Sequence, residues 1–274
     1  MKKVVSMTLF AGLVLAIAAA YGQDVGVDRF VVAFSDPSRP GLLKVNLINS
    51  GISVKSHAGQ DVIIESKSNN NRNRRRPLTT PDGLRRIDTD NLGLAIEEEN
   101  NVMSITARNP NNSGDIEVQV PAKTNLNLKT VNGGDIVVEG VEGEIEIANT
   151  NGNVLLTNVA GSVVAHATNG RLVASLRDAT PNKPMSFTSM NANVEITLLS
   201  TTKANLKMRI DNGVIYSDFD IQLCSVTAIV EDQRSRGGNI RIQTDRTING
   251  TINGGGSDFD LRTLNGNIYI RKSK

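Results

Sequence analysis

Five carboxylates near the middle of the chain have the type and spacing for acid–base chemistry. They are Asp135, Glu139, Glu142, Glu144 and Glu146. Glycan-cleaving enzymes place two carboxyl groups beside the scissile bond, and a β-helix can align two such groups on one strand face. The same residues fit the solvated face of alternating strands, and no Lys, His or Tyr recurs beside them in a distinctive motif. We therefore predict no catalytic residue and keep a glycan-active β-helix enzyme as an alternative.

A run of arginines offers anion binding instead. Guanidinium groups pair bidentately with phosphate, so the run can hold lipid head groups, lipopolysaccharide or an acidic partner. The alternative is a solvated loop docked on Glu97, Glu98 and Glu99. We predict a loop insert at about 66–91. Its binding residues for an anionic partner are predicted to be Arg72, Arg74, Arg75, Arg76, Arg85 and Arg86.

The other reactive side chains indicate no metal and no cofactor. His57 and His166 are the only histidines, and no triad or metal-ligand motif surrounds them. The segment Gly254-Gly255-Gly256-Ser257-Asp258 is close to a calcium-binding repeat, but it occurs once, whereas such sites need stacked copies. Cys224, the single cysteine, lies in an apolar run and is expected to be a small buried side chain.

Aromatic residues are scarce. A sugar ring stacks on an exposed aromatic face. The chain has no Trp, and most of its Phe and Tyr residues occupy apolar strand positions. We therefore expect no aromatic platform for a glycan.

A repeated turn motif must position these residues. Asn132, Asn151, Asn169, Asn191 and Asn212 follow one another at steps of 19, 18, 22 and 21 residues. A period of this length is typical of stacked repeats, and stacked turns would align the Asn amides into a hydrogen-bonded ladder while Gly supplies a positive φ. The predicted turn ladder consists of Asn132, Gly133, Asn151, Gly152, Asn169, Gly170, Asn191, Asn212, Gly213, Asn265 and Gly266.

Short runs of alternating apolar and polar residues follow the turns, as in Glu144-Ile145-Glu146-Ile147. No stretch of the mature chain has a helical apolar stripe, so we predict an all-β fold. A β-solenoid, single-stranded and β-helix-like, fits the in-phase turns best, with an antiparallel β-sandwich as the alternative. Ser217-Asp218-Phe219-Asp220-Ile221 resembles Ser257-Asp258-Phe259-Asp260-Leu261, 40 residues later, which suggests two coils of 20. The irregular runs at 30–34, 43–47 and 62–64 are expected to cap the stack.

The amino-terminal residues 1–22 have the pattern of a signal peptide. Lys2 and Lys3 precede an apolar run to Ala20, and small residues offer a cleavage site. Without those two lysines, 28 basic side chains balance 28 acidic ones, which gives no electrostatic case for nucleic acid. We predict one domain over 23–274, with no transmembrane segment after signal cleavage. The expected location is the periplasm or outer surface of a bacterium.

Several segments together resemble one family. The strand from Asp115 to Pro121 ends in Val-Pro, and Thr130-Val131-Asn132-Gly133-Gly134-Asp135-Ile136 follows it. With Gly140-Val141-Glu142-Gly143 and the final Asn265-Gly266-Asn267-Ile268, the chain resembles the DUF4097 family of bacterial exported proteins over roughly 40–273. The Arg-rich insert departs from that pattern. The resemblance implies a β-solenoid-like envelope protein with the inherited label "adhesin" and no catalytic set.

These observations predict a non-catalytic, exported envelope or cell-surface protein that acts as an adhesin-like binding scaffold. The expected partner is an envelope or surface macromolecule: a protein, an anionic lipid or a polysaccharide. An envelope-stress accessory protein that binds a membrane component is a second alternative beside the glycan-active enzyme.

Overall fold

Strands are the regular elements of the described chain. The computed structural model describes residues 27–67, 94–107, 114–179, 183, 185–224, 229–232, 240–243 and 247–273. The predicted signal peptide and all six predicted arginines lie outside these ranges. The all-β prediction is confirmed.

The strands of the amino-terminal half are β1 (Val27–Ala33), β2 (Leu42–Leu47), β3 (Ile52–His57), β4 (Asp61–Lys67), β5 (Leu94–Glu99), β6 (Val102–Ala107), β7 (Asp115–Pro121), β8 (Asn125–Asn132), β9 (Ile136–Glu139), β10 (Glu142–Asn151) and β11 (Val154–Ala167). Those of the carboxyl-terminal half are β12 (Leu172–Ala179), β13 (Met185–Ser189), β14 (Val194–Leu198), β15 (Ala204–Asn212), β16 (Ile215–Ser217), β17 (Gln222–Leu223), β18 (Ile229–Asp232), β19 (Ile240–Gln243), β20 (Thr247–Ile252), β21 (Ser257–Asn265) and β22 (Ile268–Lys272).

Twenty strands form one mixed sheet, while β18 and β19 pair as a separate hairpin. Most of the large sheet consists of two rows of parallel strands. In spatial order the first row is β6, β2, β8, β10, the second half of β11, β13, β21 and β15. The second row is β7, β3, β9, the first half of β11, β12, β14, β22 and β16.

The parallel neighbours reproduce the sequence period. Leu126 pairs with Ile145, Ile145 with Val163, and Val164 with Ser186, at offsets of 19, 18 and 22 residues. Apolar residues alternate with polar ones along each strand because successive side chains point to opposite faces. The buried sets of both rows therefore join in one continuous core.

The chain does not stack its repeats in sequence order. The last repeat, β21 and β22, lies between β13 with β14 and β15 with β16. The first repeat, β2 and β3, lies likewise between β6 with β7 and β8 with β9. The expectation that 217–221 and 257–261 begin successive equivalent coils is therefore wrong: Ser217 ends a strand of the second row, whereas Ser257 begins one of the first.

Antiparallel strands extend the stack at both ends. β5 adds to β6, while β4 adds to β7 and β1 adds to β4. At the other end β20 adds to β15 and β17 adds to β20. The predicted capping runs at 30–34 and 62–64 belong to these ends. The run at 43–47 does not, because β2 lies inside the first row.

Candidate functional site

The six predicted asparagines lie in one hydrogen-bonded column on the outside of the turns. In each link an Nδ2 group donates to the Oδ1 of the next residue, at 2.8 to 3.0 Å. The column follows the spatial order of the repeats rather than the chain order, since it passes from Asn191 to Asn265 and only then to Asn212. Its members, in order, are Asn132, Asn151, Asn169, Asn191, Asn265 and Asn212.

A second column lies beside the first, and the sequence analysis missed it. Here a side-chain oxygen of one repeat accepts the backbone N–H of the next repeat at 2.8 to 3.0 Å. The acceptors are Asp135, Asn153, Asn193 and Asn267. The signal that could have revealed them is a recurring Asp or Asn immediately after the small residue or residues that follow each ladder Asn.

The glycines of the turns are required for space more than for φ. A Cβ added at Gly152, Gly170 or Gly266 would lie 2.2, 1.8 or 2.4 Å from a carbonyl oxygen of the neighbouring repeat. Of the predicted ladder glycines, Gly133 and Gly213 have positive φ values of 96° and 156°. The prediction that Gly supplies a positive φ is therefore wrong for the other three.

A third column faces inward at the same corner. Thr130 Oγ1, Ser189 Oγ and Thr263 Oγ1 each donate to a backbone carbonyl of the adjacent repeat, at 2.9, 3.1 and 2.9 Å. Asn149 fills the same register position and donates to the Gly134 carbonyl at 2.9 Å. Ala167 also occupies this position, between Asn149 and Ser189, and has no donor to offer.

The candidate catalytic carboxylates are engaged in other contacts. Glu139, Glu142, Glu144 and Glu146 form ion pairs with Lys55, Arg177, Lys183 and Lys129 at 3.7, 3.1, 2.5 and 3.7 Å. Asp135 accepts the Asn153 N–H at 2.8 Å. Within the described ranges, each of these contacts joins a carboxylate to a cation or an amide rather than to a second carboxylate.

The histidines stabilise local structure. His57 Nδ1 accepts the Gly59 N–H at 3.0 Å, so its Nε2 donates to the Asp61 carbonyl at 2.7 Å. His166 Nε2 lies 3.4 Å from Thr168 Oγ1. No group of three metal-ligating side chains occurs in the part of the chain that the structure describes.

Cys224 is exposed, so the expectation of a buried cysteine is wrong. It follows the short edge strand β17, and its backbone N–H donates to the Asn249 carbonyl at 2.8 Å. The side chain lines a groove of about 580 Å³ together with Lys207, Asp258 and Asp260. Beside this groove, hydrogen bonds from Arg262 to Asp260 raise the pKa of the Arg262 guanidinium above its ordinary value.

Two tyrosines form an outward-facing aromatic stack. The rings of Tyr216 and Tyr269 lie 5.2 Å apart and are 10° from parallel. Arg271 lies 5.5 Å from the Tyr269 ring centre and also pairs with Glu195 at 2.6 Å. The view that these aromatics occupy apolar, inward positions is wrong for this pair, because Tyr269 alternates with the buried Ile268 and Ile270.

A polar cluster joins the 35–40 turn to the β5–β6 turn. Glu98 accepts hydrogen bonds from Ser35 Oγ and the Asn101 N–H at 2.7 and 3.0 Å. Asn101 Oδ1 accepts the Asp36 N–H at 2.8 Å. Hydrogen bonds from Ser38, followed by that from Arg39, hold the pKa of Asp36 below its ordinary value. Glu98, one of the three glutamates suggested as a docking site for the Arg-rich insert, is therefore already used to fix this turn.

Two solved structures are similar to this chain in outline. One is a "putative cell adhesion protein" from Clostridium sporogenes ATCC 15579, at 10% identity and a TM-score of 0.45, covering 90% of this chain and 100% of its own. The other is a "putative adhesin" from Bacteroides fragilis NCTC 9343, at 10% identity and a TM-score of 0.30, covering 91% and 98%. At these values neither carries an argument about function. No protein-family model and no curated protein sequence matches the chain.

The described residues contain no helix with the length and apolarity needed to cross a membrane.

Proposed function

We propose that this chain is a non-catalytic, exported scaffold of the β-solenoid type that presents a rigid outer surface to a macromolecule of the bacterial envelope or cell surface. The observation that carries the proposal is the asparagine column. It runs unbroken through six repeats, and its amides link each repeat to the next. A side-chain column of this kind supports a rigid surface, because every repeat is fixed to both neighbours.

The contacts of the conspicuous polar residues support a scaffold over an enzyme. The column residues hold turns, and four candidate glutamates lie in exposed ion pairs. Exposed pairs of this type contribute about 0 to 1 kcal/mol and keep an outer sheet face soluble. A general acid or base needs instead a neighbour arrangement that suits proton transfer to a substrate.

The Arg-rich segment is the proposed contact for an anionic partner. The described strands on either side of it, β4 and β5, lie at the same end of the sheet. A loop attached there can carry charge without disturbing the central repeats. The proposed partner is an anionic lipid or an envelope polymer.

Two experiments test this function. Export predicts a processed amino terminus on protein recovered from the periplasm or cell surface, whereas cytoplasmic protein that retains Met1 contradicts it. Binding to anionic vesicles should weaken when the six arginines are replaced by glutamine, most clearly at low salt, because exposed charges are screened within about 10 Å at 0.1 M ionic strength. Hydrolysis of an acidic polysaccharide that is lost in Glu144→Gln or Asp135→Asn would replace the scaffold by the enzyme alternative.

A further inference from the structure

The second row ends at two strands that pair on one side only. Among the strands that the structure describes, β1 pairs only with β4, and β16 pairs only with β22. Because β4 adds to β7, these two strands are the opposite ends of one continuous row. A one-sided strand presents backbone N–H and C=O groups that a further strand can bind.

The free side of β16 has backbone groups available for such pairing. The Val214 carbonyl accepts the Ile268 N–H, and the Asp218 N–H donates to the Ile270 carbonyl. Alternate residues of a strand direct their groups to opposite sides, so Ile215 and Ser217 direct theirs away from β22.

Apolar side chains accompany both free edges. On β1, Phe30 is 43% exposed and Val31 is 55% exposed. On β16, Tyr216 is 51% exposed, and one face of its ring stacks on Tyr269. The other ring face is directed along the row toward the free edge. By contrast, the first row ends at β5, which carries three glutamates in succession, and charge of one sign hinders strand addition.

The two rows also end at different levels. At the β1 end, the second row extends two strands beyond β7, whereas the first extends one strand beyond β6. At the β16 end, the first row extends two strands beyond β15, to β20 and β17, whereas the second stops at β16. The strands that project at one end therefore correspond to the step left at the other.

We infer that molecules of this chain associate head to tail, with β1 of one copy adding to β16 of the next. The second row then continues across the junction, and Tyr216 gains an apolar neighbour. The contact is heterologous and does not close on itself, so it produces open chains of molecules rather than a dimer. A contact made by two short strands is small, and its association is weak and dependent on concentration.

Sedimentation equilibrium of the purified protein tests this inference. The concentration should run from about 1 μM to about 1 mM, which brackets weak dissociation constants. The variants are Val31→Lys on β1, Tyr216→Lys on β16 and, as the control, Val164→Lys. Val164 is 42% exposed, but it lies on β11, which is paired on both sides. Circular dichroism of each variant confirms that the strand content is retained.

The average mass of the wild-type protein should rise steadily with concentration, and Val164→Lys should behave like the wild type. Val31→Lys and Tyr216→Lys should each stay monomeric, because each lacks one half of the contact. Mixed in equal amounts, they should form a one-to-one dimer and nothing larger, since one intact β1 edge meets one intact β16 edge. A wild-type protein that stays monomeric overturns the inference, as does a mixture no heavier than its components or a control that abolishes association.

Discussion

Gly170 lies where two neighbouring repeats come closest, and its replacement by alanine should force them apart. The added Cβ would lie 1.8 Å from the Gly152 carbonyl oxygen, whereas a Cβ needs at least 3.0 Å. The obstructing atom is backbone, so no side-chain rotation can relieve the clash. The two turns must therefore separate by about 1.2 Å, the difference between those distances.

A separation of that size would break the hydrogen bonds that join these turns. The bond from Asn169 Nδ2 to Asn151 Oδ1 is 2.8 Å long, and the bond from the Arg171 N–H to Asn153 Oδ1 is 3.0 Å long. The backbone bonds from the Asn169 N–H to the Thr150 carbonyl and from the Val154 N–H to the Arg171 carbonyl are both 2.9 Å long. At about 1 kcal/mol for each lost bond, Gly170→Ala should lower the free energy of unfolding by about 4 kcal/mol.

Gly133→Ala is the matched control. An added Cβ there meets nothing within 4 Å, so the only cost is the left-handed backbone, with a φ of 96°. That conformation costs a non-glycine residue about 1 to 2 kcal/mol. Urea unfolding curves of the two variants and the wild type, extrapolated to water, give both free energies. A loss in Gly170→Ala no larger than that in Gly133→Ala would refute the steric account of the turn glycines.

Three further predictions follow from single contacts. Ala167→Ser should gain about 1 kcal/mol by restoring a donor to the inward column, and Ser189→Ala should lose about as much, both measured by urea unfolding; a loss in Ala167→Ser contradicts this. Asn101→Ala should cost about 2 to 3 kcal/mol, because it removes the acceptor for the Asp36 N–H and leaves alanine at a φ of 67°; an unchanged thermal midpoint contradicts this. The lowered folded-state pKa of Asp36 makes its contribution to stability present above the unfolded value, near 3.9, and lost as the pH falls through the folded value. The wild type should therefore exceed Asp36→Asn in urea midpoint at neutral pH, and the difference should disappear well below about pH 3; a difference that is constant with pH contradicts this.

The strand content and the repeat period could be predicted because both are local signals. Alternation in Glu144-Ile145-Glu146-Ile147 reports which side chains are buried, and the equal steps between asparagines report the offset of parallel neighbours. The spatial order of the repeats could not be predicted in this way. Asn265 lies 53 residues after Asn212 and 74 after Asn191, yet its side chain bonds to both. Sequence spacing does not encode which of two equivalent strands a repeat will choose.

The site residues show the same division. The Asn positions were visible because one residue type recurs at one place in each repeat, and the second column was equally visible at a fixed offset. The reason for the glycines was not visible, because it depends on the distance between Gly170 and a carbonyl of another repeat. The outward position of Tyr269 could have been read from its buried neighbours Ile268 and Ile270.

The interleaving of the first and last repeats also determines how the molecule resists force. In an ordinary stack the terminal repeat lies at an end and can be peeled away one hydrogen bond at a time. Here β21 lies between β13 and β15, and β22 lies between β14 and β16. Tension on the carboxyl end therefore loads these strands in shear on both sides, so many bonds must break together. The first repeat is held in the same way, and both chain ends are consequently attached at mechanically strong points of the sheet.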